Sequence, residues 1–183
     1  MLNPPPDAGT DMKLFLKSLL LISTLIIASC ASITSDIEVE THVDPNINYN
    51  AYKTYAWAGS AQIVFDPIGQ WEQPTLDTDE EVRFVINREL RARDIYPVEE
   101  KPDLLVAFAA GIDTTALDLK EDPENDGEVL VSAPKAALLI ALVDAQTGYT
   151  VWMGYASGEA KEQQTIETIR TRIDYAVTEI FKQ

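Results

Sequence analysis

The chain carries two hydrophobic rhythms. From Ile37 to Val43 apolar and polar side chains alternate (Ile37, Val39 and Val43 against Glu38, Glu40 and His42), the period of a strand with one buried face. Asp44-Pro45-Asn46 stops it, and Tyr49 to Trp57 is aromatic-rich and again strand-like, with Gly59 as its predicted end. Ser60 to Thr75 holds Pro67, Gly69 and Pro74 and reads as an irregular loop, packed down by Ile63, Val64, Phe65, Ile68 and Trp71. The rhythm then changes. Val82, Val85, Ile86 and Leu90 fall on one stripe, and Thr78 with Glu81 three residues on fits a capping box, so a helix is predicted from Thr78 to near Asp94.

Leu104 to Gly111 is almost continuously apolar, which suits an interior strand, with Leu104, Val106 and Phe108 on one side and Leu105, Ala107 and Ala109 on the other. A polar, acidic connection leads to Ala136–Val143, apolar on both sides. Asp144-Ala145-Gln146-Thr147-Gly148 turns that strand into Tyr149–Ala156, with Gly148 able to take the left-handed position of a hairpin turn. The last segment, Thr165 to Lys182, is the clearest helix: Ile166, Ile169, Ile173, Ala176, Val177 and Ile180 recur at spacings of three and four. The order strand, strand, helix, three strands, helix predicts an α+β two-layer sandwich. Its sheet is mixed, mostly antiparallel and of about five strands, with two helices on one face.

The N-terminal region is of another kind. Met12 begins Lys13 and Lys17, then an apolar run from Leu19 to Ile27, then Ala28, Ser29 and the only cysteine, Cys30. Ile27-Ala28-Ser29-Cys30 resembles the lipobox of bacterial lipoproteins, in which the cysteine is acylated and becomes the new N-terminus. The run is shorter than the ~20 residues a bilayer core requires. Residues 1–29 are therefore expected to be leader and signal peptide, with Met12 the true start. Residues 30–35 form a lipidated tether and 36–183 a single domain. Ala31 after the cysteine favours, by analogy with lipoprotein sorting, the outer membrane facing the periplasm. An acylated Cys30 leaves no thiol for a disulfide, nucleophile or metal site. The net charge of −16 argues against nucleic acid as a partner and leaves the bilayer, through the acyl chains, and an envelope protein.

Few residues suggest chemistry. His42 is the only histidine and sits on the polar face of the first strand, with no nucleophile-elbow pattern elsewhere. Asp122-Pro123-Glu124-Asn125-Asp126-Gly127 has the alternating oxygens and sixth-position glycine of a calcium loop, but the twelfth position is Ala133 where such a loop needs glutamate. Asp122, Glu124 and Asp126 are thus a weak calcium candidate within an acidic hairpin, and no cofactor is expected. Thirty acidic residues make coincidental carboxylate pairs certain, and none stands out as a glycosidase pair. The aromatics are more suggestive. Tyr55, Trp57, Trp71, Trp152 and Tyr155 lie in strands or their loops, where filling the core is the first reading; the alternative is that some form a partner or ligand surface on the sheet face that helices do not cover, beside small Ala107, Ala109 and Gly111.

Three stretches carry a resemblance: Tyr52-Lys53-Thr54-Tyr55-Ala56-Trp57, Pro102-Asp103-Leu104-Leu105-Val106, and Leu142 to Gly148 leading to Val151-Trp152-Met153-Gly154. With the lipobox before them and the helix after, the chain resembles the DUF4136 family of bacterial lipoproteins, a domain of unknown function. Two departures stand out: Asp94 occupies a place where the family often has glycine, and the proline-ended tail is absent at Gln183. The resemblance implies address and architecture and adds no catalytic residue. The functional expectation is a membrane-anchored envelope lipoprotein acting as a non-enzymatic binding or structural module. An enzyme acting on peptidoglycan or another envelope polymer and a small-ligand binder are the alternatives.

Overall fold

The computed structural model describes residues 33–69, 71–72, 74–121, 128–160 and 164–183. Residues 36–183 form one compact unit, which holds the hydrophobic core of the described residues. The elements are β1 (Glu38–Val43), a 3-10 turn (Tyr49–Ala51), β2 (Thr54–Phe65), α1 (Thr78–Arg91), β3 (Tyr96–Pro97), β4 (Leu104–Asp113), β5 (Leu117–Glu121), β6 (Glu128–Ser132), β7 (Lys135–Asp144), β8 (Thr150–Glu159) and α2 (Ile166–Lys182). Six strands make one sheet in the order β1-β8-β7-β4-β2-β3, and β5 with β6 makes a separate hairpin. Pairing is antiparallel from β1 to β4 and parallel from β4 through β2 to β3. The helix-bearing crossover from β2 to β4 makes a parallel pair sterically reachable, whereas β7 and β8 need only a tight turn. That turn is closed by Gly148 at φ 74°, with Gly148 N–H donating to the Asp144 carbonyl at 2.8 Å.

The expected α+β sandwich is observed, with the two helices sharing one core against the sheet. Leu104, Val106 and Phe108 of β4 and Leu138, Ile140 and Leu142 of β7 are buried against Val82, Val85, Ile86 and Leu90 of α1 and Val177 and Ile180 of α2. Each fully buried aliphatic side chain contributes about 1.5–3 kcal/mol. β8 meets α2 through Trp152, Gly154, Ala156 and Gly158. A Cβ on Gly154 would run into Ile180 and lie 2.8 Å from the Trp152 ring, so absence of a side chain sets how closely α2 approaches.

Three boundaries depart from the sequence-based expectation. β2 does not end at Gly59: it shifts register at a bulge between Trp57 and Gly59 and continues beside β4 to Phe65, so Ile63, Val64 and Phe65 are exposed on an edge strand and do not pack down. The glycine turns the strand without stopping it. The N-cap of α1 is Asp77, whose Oδ1 accepts from Glu80 N–H at 3.1 Å, rather than Thr78, whose hydroxyl accepts from Gln62 Nε2 at 3.2 Å. Residues from Tyr49 to Ala51 form a 3-10 turn where an extended strand was expected, and β3 adds a sixth strand of two residues to the sheet.

Candidate functional site

The three stretches that carry the family resemblance converge at one end of the sheet. Asp103, just before β4, accepts from the backbone N–H groups of Lys53 and Thr54 at 2.8 and 2.9 Å and from the Thr54 hydroxyl at 2.9 Å, all through Oδ2. Its carbonyl accepts from Ala145 N–H at 3.0 Å. Asp144, at the end of β7, folds the hairpin turn by accepting from Gln146 and Thr147 N–H at 2.9 and 2.8 Å, and its other oxygen accepts from the Tyr52 hydroxyl at 2.9 Å. One carboxylate therefore ties the start of β2 to β4, and the second ties the β7–β8 turn to the approach to β2.

Electrostatics place these groups in structural roles. Hydrogen bonds from Lys53 N–H and Thr54 hold the Asp103 carboxyl below the usual range, and those from Thr147 and Tyr52 do the same for Asp144. Burial, and then the hydrogen bond to Asp144, pushes the Tyr52 hydroxyl up to about 12. An acid fixed as a carboxylate beside a phenol fixed as a phenol has no proton to exchange near neutrality.

The aromatic candidates do not form one surface. Tyr55 is fully buried and its hydroxyl donates to Asn87 of α1; Trp152 is buried and stacks on Phe181 of α2 with centroids 5.0 Å apart. Both belong to the core, a correction to their candidacy as a partner or ligand surface. Their strand positions share the side of Leu104 and Leu142, to which the helices bind. Trp57 is half-buried on that side, edge-on to Tyr55 and Phe108, with the Arg83 guanidinium 4.5 Å over its ring. Tyr155 does lie on the other face, exposed at 39% and paired with Leu139 and Glu40. That face presents Leu105, Ala107, Ala109 and Gly111 of β4, Ala137, Leu139, Ala141 and Val143 of β7 and Met153 of β8, each half-exposed, with no described helix upon it.

Trp71 belongs to a different feature. Its N–H donates to Asp66 Oδ2 at 2.7 Å, and it lines a cavity of about 840 Å³ between the sheet and the N-terminal halves of both helices. Sequence reading missed this cavity: it depends on which small residues share a face, and the extension of β2 to Phe65 that helps wall it was read as loop. Within its wall Arg172 pairs with Asp36, two 2.7 Å bonds in parallel, while Glu159 N–H donates to Asp36 at 2.8 Å.

Cys30, the lipobox residues Ile27, Ala28 and Ser29, and the acidic residues Asp122, Glu124 and Asp126 lie outside the described residues. Among the described residues no group of three or more metal-ligating side chains comes together, and His42 is exposed on β1.

The family model for DUF4136, a domain of unknown function, matches residues 39–183, and the chain belongs to that family. No curated protein matches the chain. Among solved structures, a DUF4136 family protein from Bacteroides thetaiotaomicron is 17% identical, with 81% of this chain and 95% of that chain covered and a TM-score of 0.53. A PDZ domain protein from Parabacteroides distasonis is 13% identical with a TM-score of 0.50, the match covering 81% of this chain and 37% of that one. Likeness at these identities concerns the fold.

Proposed function

We propose that the protein is a non-enzymatic binding module of the bacterial cell envelope, tethered through an acylated Cys30 to the outer membrane and facing the periplasm. The observation that carries the binding role is the second face of the sheet. A six-stranded sheet with helices on one side normally exposes polar residues on the other, whereas here Leu105, Leu139, Val143 and Met153 stand among alanines. Beside it runs the edge of β2, paired to β3 only at Thr54 and Tyr55 and carrying exposed Ile63 and Phe65. A flat apolar face next to an open strand edge suits an envelope protein as partner.

The non-enzymatic reading rests on the carboxylates. Every described carboxyl group with a resolved shift, namely Asp36, Asp79, Asp103, Asp113 and Asp144, is lowered. A wall-cleaving glycosidase needs one raised. A photo-crosslinking amino acid at Tyr155 in the anchored protein tests the binding role, with one at Tyr149, exposed on the hairpin turn, as control. Recurrent crosslinks to a single envelope protein from position 155, absent from 149 and lost with Leu139→Lys, are expected; equal yields from both positions would defeat the reading. A second reading, binding of a small ligand, is favoured by the 840 Å³ cavity.

A further inference from the structure

The space between sheet and helices is unevenly filled. At one end Trp152 stacks on Phe181, and Tyr55, Ile86, Leu90 and Ile180 are sealed from solvent. At the other end Leu138 and Ala156 are still buried with Val82 of α1 and Ala176 of α2, but the helix-facing positions beyond them include the half-exposed Ala110 and Ile112 of β4 and Ala136 of β7, and about 840 Å³ is left open there. The large end props the helices away from the sheet, and a close-packed interior does not collapse locally to follow small side chains. Atoms along such a wall forgo the dispersion contacts a filled core would supply. The volume lies within the roughly 300–1,000 Å³ of small-molecule sites.

The wall is mixed: Gln62, Thr78, Ser157 and Gln164 stand among the apolar residues, and the cation in the wall, Arg172, is clasped by Asp36. The strand floor between them is apolar, and a hydrocarbon there would be held by contact and shape. The rim is acidic: Glu72 and Asp77 are exposed on it and Glu80 follows in the first turn of α1, while Asp79 and Glu81 beyond are paired with Arg83 and Arg170. A carboxylate or phosphate at this mouth would meet like charge, while an amine or hydroxyl would not.

We infer that the cavity takes one hydrocarbon chain of an amphiphile whose headgroup is neutral or cationic, the chain lying along Ala110, Ile112 and Ala136 and the headgroup beside Glu72 and Asp77. The inference deepens the ligand-binding reading given above and rests on it. Cys30 is the only cysteine, so Ala110→Cys places a single thiol in the cavity wall of the acylated, full-length protein. With that protein in phosphatidylcholine nanodiscs, alkylation by N-ethylmaleimide is followed with and without dodecylamine, dodecanol or dodecanoate. Dodecylamine and dodecanol are expected to slow alkylation about tenfold, a differential occupancy near 1.4 kcal/mol, and dodecanoate to have little effect. Adding Ala176→Leu, which extends a larger side chain from α2 into the cavity against the path of the hydrocarbon, is expected to abolish the protection.

Equal protection by dodecanoate would overturn the headgroup class and leave ligand binding standing. Protection that survives Ala176→Leu would move the chain out of this cavity, and protection by none of the three would overturn both the inference and the reading beneath it. Should the thiol variant fail to fold, the same amphiphiles are read through the fluorescence of Trp71 in the otherwise unmodified protein against Trp71→Phe. A spectral shift with the amine and alcohol alone sustains the proposal, and no shift overturns it.

Discussion

Arg172 sits buried on α2, and its partner Asp36 stands at the very start of the folded unit, so one side-chain pair fixes where the domain begins. The Arg172 guanidinium, first by its hydrogen bonds and then by its charge, together with Glu159 N–H, holds the Asp36 carboxyl well below the usual carboxylate range. Because that group titrates lower folded than unfolded, its contribution is whole above the unfolded pKa of about 3.9 and is lost as the pH falls through the folded one. Asp36→Ala is expected to destabilise the protein by about 3–5 kcal/mol at pH 7, the cost of leaving a buried cation without its partner. In urea unfolding at pH 7 and pH 3, the gap between wild type and variant should narrow at the lower pH; a constant gap would show that packing and not charge is at stake. Gly154 is a matter of space alone. Gly154→Ala pushes a methyl into Ile180 and the Trp152 ring, and overpacking of this kind costs about 1–3 kcal/mol. A thermal transition unchanged from wild type would mean that α2 can lift off β8 without cost.

Among the elements, α1 ends by a device the sequence half discloses. Asp94 takes φ 59°, Ile95 N–H reaches back to the Leu90 carbonyl at 3.0 Å, and Ile95 is buried beyond the turn, the arrangement of a Schellman cap. Position 94 is thus a left-handed one, which glycine takes without steric cost and aspartate holds under strain. Asp94→Gly is expected to raise stability by about 1 kcal/mol, read as a higher urea midpoint. Asp103 performs a comparable service between strands. Asp103→Ala leaves the amides of Lys53 and Thr54 without their acceptor, a loss of about 1–3 kcal/mol; hydrogen exchange should accelerate at those two amides before it does in β7. Both helices and the strands β4, β7 and β8 were legible because their apolar patterns run over eight residues or more. β2 was legible only to its bulge, since Gly59 and Pro67 signal a loop whatever the partner strand does, and parallel pairing with β4 overrides that signal. Which aromatics fill the core and which face outward is illegible for a related reason: Tyr55 and Trp152 fall on the helix side and Tyr155 on the other by register, and register is settled by neighbouring strands rather than by the residue.

For the molecule as a whole, the proposed attachment through an acylated Cys30 can be weighed against the protein's charge. Among the described residues no helix is long and apolar enough to cross a membrane, and a net charge of −16 would be repelled from an anionic lipid surface. Attachment to such a surface by charge would be opposed, whereas the proposed acyl chains on Cys30 would act without it, each buried methylene adding ~0.8 kcal/mol, and two or more chains would give a firm anchor. This yields opposite expectations for salt. Raising the ionic strength to about 1 M contracts the screening length to ~3 Å and strips proteins held by charge, but should leave this one in the membrane pellet. Metabolic labelling with an alkyne analogue of palmitate should mark the wild type, and Cys30→Ala should lose the label. Label retained on the variant, or wild type released by salt alone, would place the attachment elsewhere in the chain. If the expectation holds, the bare sheet face and the cavity work at the end of a tether only a few residues long, from Cys30 to Ser35, so whatever they bind must come within reach of the bilayer.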